Sequence, residues 1–227
     1  SLSSHQAQFW QPKPTEELYD LANDTYQIQN IADDPNYSSI KEELRAKLQH
    51  WMIETKDRGV IPESLVKSNL LSPHWDWKEM IEAAFYDADD PSDLDATNHE
   101  NPVVRYWLAQ QLRASLILGE QDHVNHKINL GETLRRDVEV SVQIVASETI
   151  AMIGDELQKA DAISQLKSIA NLEHSGLLNA VAALNALANL EVEFDGVEKL
   201  PAKDSNFEPV YHDYIERLKD YLSHKEH

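Results

Sequence analysis

Apolar residues recur at helical spacing through most of this chain. The clearest case lies between residues 38 and 57, where four apolar side chains fall on one face of a helix: Ile40, Leu44, Leu48 and Trp51. Ser39 followed by Glu42 has the form of a capping box, which marks a helix start. Gly59 follows the last apolar position, as is typical of a helix end. The pattern predicts an amphipathic helix over residues 39–57.

From residue 101 onward, long apolar helices recur at a regular interval. They are VVRYWLAQQLRASLILG (Val103–Gly119), VSVQIVASETIAMIG (Val140–Gly154) and GLLNAVAALNALANL (Gly176–Leu190). Corresponding places in successive units are Arg105, Gln143, Asn179 and His212, separated by 38, 36 and 33 residues. This period is typical of an α-solenoid, in which each helical pair buries its apolar face by stacking on its neighbours.

Weaker helical patterns complete the pairs. They cover residues 122–136 and 155–171, and a last helix with a charged end covers residues 208–222. Ser72 and Pro73 predict the start of another helix that runs to about residue 86. The sequence therefore predicts a mainly α fold from residue 62 to the end of the chain.

The first part of the chain has a different pattern. Pro14 precedes a short apolar run that contains Leu18 and Leu21, which is typical of a short strand over residues 15–21. Asn23 and the residues after it predict a turn and a loop. Because a single short strand is not stable alone, we expect strands that pair with it to lie upstream of this sequence.

Composition excludes several classes of partner. The 227 residues include 20 basic and 40 acidic side chains, so the net charge is −20. Such a charge repels nucleic acid, anionic lipid and sulfated glycans over most of the surface. The sequence has no cysteine, which excludes disulfides and thiolate zinc sites. No apolar run is long enough to cross a membrane. From the charge and the short apolar runs together, neither nucleic acid nor a membrane is expected as a partner.

Three stretches in the first quarter of the chain resemble the end of the catalytic region of a type I sulfatase. They are FWQPKPTEELYDL (Phe9–Leu21), NDTYQIQNIADDP (Asn23–Pro35) and ELRAKLQHWMIETKDRGVIPES (Glu43–Ser64). The resemblance implies that residues 1–61 are a strand, loop and closing helix from the C-terminal subdomain of such an enzyme. Residues 62–227 resemble HEAT repeats, which some sulfatases carry after the catalytic region. The arginine usual in the second helix of such repeats is found only as Arg105.

The resemblance also implies chemistry that this chain lacks. Sulfatases of this type use a formylglycine, made within a Cys/Ser-x-Pro-Ser-Arg motif, and a calcium ion held by upstream Asp and Asn residues. The motif is absent, since no Ser is followed at the right spacing by Pro and Arg; the one adjacent Ser-Pro pair is Ser72-Pro73. We therefore expect no catalytic, cofactor-binding or metal-binding residue here, and no hydrolysis of sulfate esters by this chain alone. Calcium and formylglycine are expected in the upstream catalytic region.

Other candidate sites have simpler structural interpretations. Two carboxylates, Asp33 and Asp34, match a loop of the resemblance and lack the six or more oxygens that calcium needs. The pair His123 and His126 lacks further zinc ligands. An acidic segment lacks the glycine of a calcium loop: Asp87, Asp89, Asp90, Asp93 and Asp95. Two further acids, Glu16 and Glu17, belong to the predicted strand. Two tryptophans, Trp75 and Trp77, could stack on a sugar ring. Solvent exposure or core packing is the expected role of each.

Two classes of function remain open. In the first, the chain is the C-terminal, non-catalytic part of a sulfatase, whose helical repeats support the catalytic region, an interface or the substrate cleft. Its partners are then the upstream catalytic region and, in a homo-oligomer, a second copy. The family tendency favours a periplasmic or extracellular location. In the second class, the chain is a stand-alone helical-repeat scaffold that binds another protein on its concave face.

Overall fold

The computed structural model describes residues 16–67, 75–85, 97–117 and 124–193, with isolated positions before them: Ser3, Gln6, Ala7, Trp10, Gln11 and Pro14. Across these ranges the protein is mainly helical, as predicted, and has no β-strand. None of the helices described there is both long and apolar enough to cross a bilayer. The chain divides into two compact units, the N-terminal unit Ser1–Asp57 and the helical unit Arg58–His227.

Several predicted features lie outside the described residues. They are the helix start at Ser72 and Pro73, the acidic segment at residues 87–95, His123, and the last repeat at residues 208–222 with His212.

In the N-terminal unit, the predicted strand at residues 15–21 is not found. Residues 16–20 have no regular secondary structure. The amide of Leu18 donates to the side-chain oxygen of Asn30 at 2.9 Å, and the carbonyl of Leu18 accepts from the amide of Ile31 at 2.9 Å. Because the hydrogen bonds of Leu18 go to a folded-back loop, no ladder of paired residues forms in this part of the chain.

The predicted helix is present as α1, Ser38–Thr55, but its start differs from the prediction. A 3-10 turn, Pro35–Tyr37, leads directly into α1, and Asp34 caps that turn by accepting the amide of Asn36 at 2.9 Å. Ser39 therefore already lies inside the helix, and the predicted capping box is absent. Lys56 ends α1 in the left-handed conformation, with a φ of 53°.

The helical unit consists of short and long helices in chain order. Their bounds are α2 Glu63–Lys67, α3 Trp77–Ala84, α4 Pro102–Ile117, α5 Val124–Leu134, α6 Val140–Ile153, α7 Glu156–Ile169, α8 Leu172–Ser175 and α9 Leu177–Asn189. Helix α3 packs on α4, α5 packs on α6, and α7 packs on α9. The second members of these pairs also contact one another in order, α4 with α6 and α6 with α9.

Helix α6 is the centre of this unit, because it contacts α4, α5, α7 and α9. Ten of its 14 residues are buried, including Ser141, Ser147 and Thr149, so the helix has no continuous polar side. Three apolar clusters among the described residues include side chains of α6. Val142 packs with Leu108 and Leu134, Ile144 packs with Leu166 and Leu184, and Ile150 packs with Ala162: these are neighbours from α4, α5, α7 and α9.

The described repeat positions play similar roles. Arg105, Gln143 and Asn179 all stand in the first turn of their helices, α4, α6 and α9. Each side chain donates to a backbone carbonyl of the segment just before its own helix: Arg105 to His99, Gln143 to Asp137, and Asn179 to Ser175. These bonds satisfy carbonyls that the turn leaves without a helical partner. The spacing seen in the sequence thus corresponds to one repeated contact.

We expect Arg105→Ala to destabilise the helical unit by about 3 kcal/mol, because it leaves the buried Asp137 carboxylate without its partner. The two side chains are only 9% and 4% exposed. Lys78→Ala is the control, since the Lys78–Glu82 pair lies on the surface and should contribute no more than about 0.5 kcal/mol. Chemical denaturation followed by circular dichroism measures both. Equal effects of the two substitutions would contradict a structural role for Arg105.

We expect Glu16→Gln to weaken the N-terminal unit in a pH-dependent way. Arg45 donates from Nε to Glu16 at 2.6 Å and also contacts its second oxygen, and this hydrogen bonding lowers the pKa of Glu16 below its ordinary value of 4.5. The pair therefore contributes above pH 4.5, and the contribution is lost as the pH falls through the lowered pKa. The loss at pH 7 should be at most about 1 kcal/mol, since both side chains are partly exposed.

Amide hydrogen exchange at Ile31, whose amide bonds to Leu18, measures this effect locally. Protection in the Glu16→Gln variant should be lower than in the original chain at pH 7 and equal to it well below pH 4. Glu43→Gln is the control, since its partner Lys47 lies on the same exposed helix surface. A loss of protection that is the same at both pH values would contradict the ionic explanation.

Candidate functional site

Two candidate carboxylates of the N-terminal unit have structural partners. Asp34 accepts both the backbone and the side-chain nitrogen of Asn36 at 2.9 Å. Glu16 is held by Arg45. Across the described ranges of the chain, no three His, Asp or Glu side chains are grouped so that they could hold a metal ion. The observed contacts of Asp34 and Glu16 are those of a turn cap and an ion pair.

The other candidates from the sequence are not brought together. Trp75 and Trp77 are both partly buried at the start of α3, where Asp76 caps the helix by accepting the amide of Lys78 at 2.8 Å. This cap marks the start of α3 at Trp77. His126 is partly buried in α5, while its predicted partner His123 lies outside the described residues.

A shallow cavity of about 480 Å³ lies before the starts of α4 and α6. Arg105 and Asp137 line it and form a paired contact, with Nε to Oδ2 at 2.6 Å and Nη2 to Oδ1 at 2.9 Å. The Asp137 carboxylate also accepts the amide of Glu139 at 2.8 Å. Burial raises the pKa of Glu139, and the nearby Asp137 charge acts in the same direction, while Arg105 opposes both. Arg105 and Asp137 are thus engaged with each other, and we call such a buried group of paired polar side chains a polar joint.

Sequence reasoning missed a second polar joint, at Glu148 in the middle of α6. Its carboxylate accepts from Arg113 on α4 at 3.0 Å and from Asn189 on α9 at 3.1 Å. Glu148 is the one acid in a mostly apolar helix, and this pattern could have predicted the contact because a buried carboxylate requires partners. Glu148 therefore connects helix α6 with helices α4 and α9.

A third polar joint connects α5 and α7. The buried Arg135 donates to Asp161 at 2.7 Å and to the side-chain oxygen of Gln165 at 3.1 Å. Gln165 in turn donates to the carbonyl of Arg135 and to Gln143. These contacts satisfy polar groups inside the stack and have no arrangement suited to acid–base or nucleophilic chemistry.

Helix α1 carries the main surface that the described structure leaves uncovered. The side predicted to be buried is half exposed: Ile40 50%, Leu44 47%, Leu48 47% and Trp51 55%. We call these four side chains the α1 apolar face. Helix α1 has no buried residue. The side of α1 next to this apolar face is partly buried, at positions such as Arg45 and Met52. An uncovered apolar row of this kind is typical of a contact surface.

Comparison with known proteins identifies sulfatases as relatives of part of the chain. Two ulvan-active sulfatases of Formosa agariphila are 38% identical over 61 residues and 36% identical over 64 residues. The human N-sulphoglucosamine sulphohydrolase is 40% identical over 57 residues. Each match covers 25–28% of this chain and only 11–12% of the relative.

The other comparisons found nothing. No family model matches the sequence, and no solved structure is similar to the protein. The chain thus contains a region related in sequence to sulfatases, and it spans about one ninth of the length of those relatives.

Proposed function

We propose that this chain is the C-terminal, non-catalytic part of a sulfatase. Residues 1–61 are the end of the C-terminal subdomain of the catalytic region, and residues 62–227 are HEAT-like repeats that follow it. The local identity of 36–40% to three sulfatases carries this proposal. Its length, 57–64 residues, agrees with the stretch from Phe9 to Ser64 on which the resemblance rests.

The uncovered α1 apolar face supports the same assignment for the N-terminal unit. A helix gains most of its stability by packing its apolar side against other elements. In the described part of this unit the one buried apolar residue is Ala32. Such a unit fits a terminal piece of a larger domain better than an independent domain.

The repeated contact of Arg105, Gln143 and Asn179 supports HEAT-like stacking in the helical unit. Its role in the parent enzyme is to brace the catalytic region, to form an interface or to border the substrate cleft. The formylglycine and the calcium ion belong to the upstream region, and the parent protein acts in the periplasm or outside the cell.

A stand-alone scaffold is the second candidate function. It is favoured by three apolar clusters of the helical unit, which include residues of α6 and lie within the described part of that unit. A unit with its own core can present a binding surface without a catalytic partner.

The coding DNA upstream of Ser1 separates the two candidates. We expect an uninterrupted reading frame that contains a Cys/Ser-x-Pro-Ser-Arg motif. The full-length parent should release sulfate from a model aryl sulfate and lose this activity with a chelator, while residues 1–227 alone should release none. A start codon immediately before Ser1, or chelator-sensitive activity of this chain alone, would contradict the proposal.

Removal of residues 62–227 from the full-length parent tests what the repeats add. If they brace the catalytic region, we expect the midpoint of thermal inactivation to fall by several degrees while kcat and KM stay within about twofold. A changed KM at unchanged stability would instead indicate a cleft role, and a change of mass in analytical ultracentrifugation would indicate an interface. No change in any of the three would contradict a supporting role.

A further inference from the structure

A short segment at the start of the helical unit reaches from α4 to α9. The segment is residues 58–67, which contain a 3-10 turn, Arg58–Val60, and the short helix α2. At one end, the indole Nε1 of Trp107 on α4 donates to the carbonyl of Val60 at 2.7 Å. At the other end, α2 contacts α9. We call residues 58–67 the strap, because they connect two helices that both pack beside α6.

The strap crosses α6 on the side that faces away from α5 and α7. Those two helices cover one side of α6, while α4 and α9 lie next to it. Ser141, Val145 and Glu148 follow one another at helical spacing on the opposite side, which we call the inner side of α6. Each of the three is only 7% exposed, whereas Met152, one turn further along this side, is 42% exposed. The inner side of α6 is therefore covered over most of its length and open at its end.

Apolar side chains anchor the strap. Val60 is 3% exposed, Ile61 is 6% exposed and Leu65 is 2% exposed. The three apolar clusters that include α6 contain none of these side chains. A few buried apolar residues and a hydrogen bond to the backbone are also the contacts by which a groove holds a bound peptide. The strap thus contacts the stack in the manner of a ligand that belongs to the same chain.

The inner side of α6 carries polar groups that the described residues leave unmatched. Oγ of Ser141 is buried without a hydrogen-bond partner in the described part of the chain, and so is Nε of Arg113. Arg113 extends from α4 to Glu148 on this side. Because a buried polar atom without a partner is costly, a ligand with carbonyl oxygens at these two positions would fit the surface better than the strap does.

We propose that the strap is a displaceable internal ligand, and that the inner side of α6 is a binding surface for a peptide. The partner has the chemistry of the strap, which is two adjacent β-branched side chains, a proline and a leucine three positions later. Its backbone carbonyls accept from Ser141 and Arg113. The strap competes with such a peptide at the high effective concentration of a single polypeptide, so the contact is autoinhibitory.

All of these contacts lie within residues 58–189. The proposal therefore goes beyond the proposed function, and it holds equally for the end of a sulfatase and for a stand-alone scaffold.

A fluorescent peptide with the sequence of the strap, RGVIPESLVK, tests the displacement. Leu65→Asp puts a charge at an anchor position and should release the strap, while Arg58→Asp changes an exposed position of the strap and is the control. In fluorescence polarisation, we expect the peptide to bind the Leu65→Asp chain at least about tenfold more tightly than the original chain or the Arg58→Asp chain. Equal binding to all three chains, or no binding to the Leu65→Asp chain, would overturn the inference.

Two controls accompany this measurement. A labelled peptide that itself carries the Leu65→Asp change should bind at least about tenfold more weakly, because it lacks an apolar anchor. Circular dichroism shows whether the Leu65→Asp chain still unfolds in one cooperative transition, as we expect from clusters around α6 that do not include the strap. Loss of that transition would make the strap part of the core and would refute its role as a ligand.

Proton exchange in the original chain measures opening of the strap without a substitution at an anchor. The indole proton of Trp107 bonds to the strap, and the amide of Ile150 lies in the buried α6. A displaceable strap opens while the stack stays folded, so the protection factor of the Trp107 indole should be at least about tenfold lower than that of the Ile150 amide. Trp107→Phe assigns the indole signal among the five tryptophans. Equal protection of the two groups would show that strap and stack open only together, which contradicts the proposal.

Discussion

Burial of α6 on all sides is the constraint on which the helical unit depends. The helix VSVQIVASETIAMI buries ten of its 14 residues, so neighbouring helices must enclose it and supply partners for its buried polar groups. Helices α4, α5, α7 and α9 supply that enclosure, each through its own apolar side. Helix α6 in turn covers apolar side chains of these neighbours, so the helices stabilise one another. The spatial order of the helices follows from the need to enclose α6.

Polar side chains then fix the register of the stack. Apolar packing alone tolerates sliding of one helix along another, whereas a buried charge must meet a specific partner. Glu148 meets Arg113 and Asn189, and Arg105 meets Asp137. These contacts connect successive pairs, so that a shift of one helix would leave a buried charge without a partner. Specific alignment of the helices is therefore the contribution of the polar joints.

The helical fold could be predicted from the sequence because the helical period comes from side-chain spacing. Helix α1 was predicted to within about two residues of its observed bounds, and Arg105, Gln143 and Asn179 each bond a carbonyl before their own helix, while the repeat itself stays a prediction. The strand at residues 15–21 was not found, since strand formation depends on a partner outside the local sequence. The capping box at Ser39 was wrong because a preceding 3-10 turn moved the helix start. Glu148 was missed, because pairing across helices separates its partners by 35 and 41 positions.

The two units differ in what stabilises them, and this difference explains why only one has an apolar core of its own. In the helical unit, α6 provides a centre around which neighbours close. In the described part of the N-terminal unit, the loop is held by hydrogen bonds and one ion pair, and these contribute little net stability in contact with water. An apolar row on α1 cannot be compensated by such bonds. The described part of the N-terminal unit therefore buries one apolar residue, Ala32, whereas the helical unit encloses its central helix.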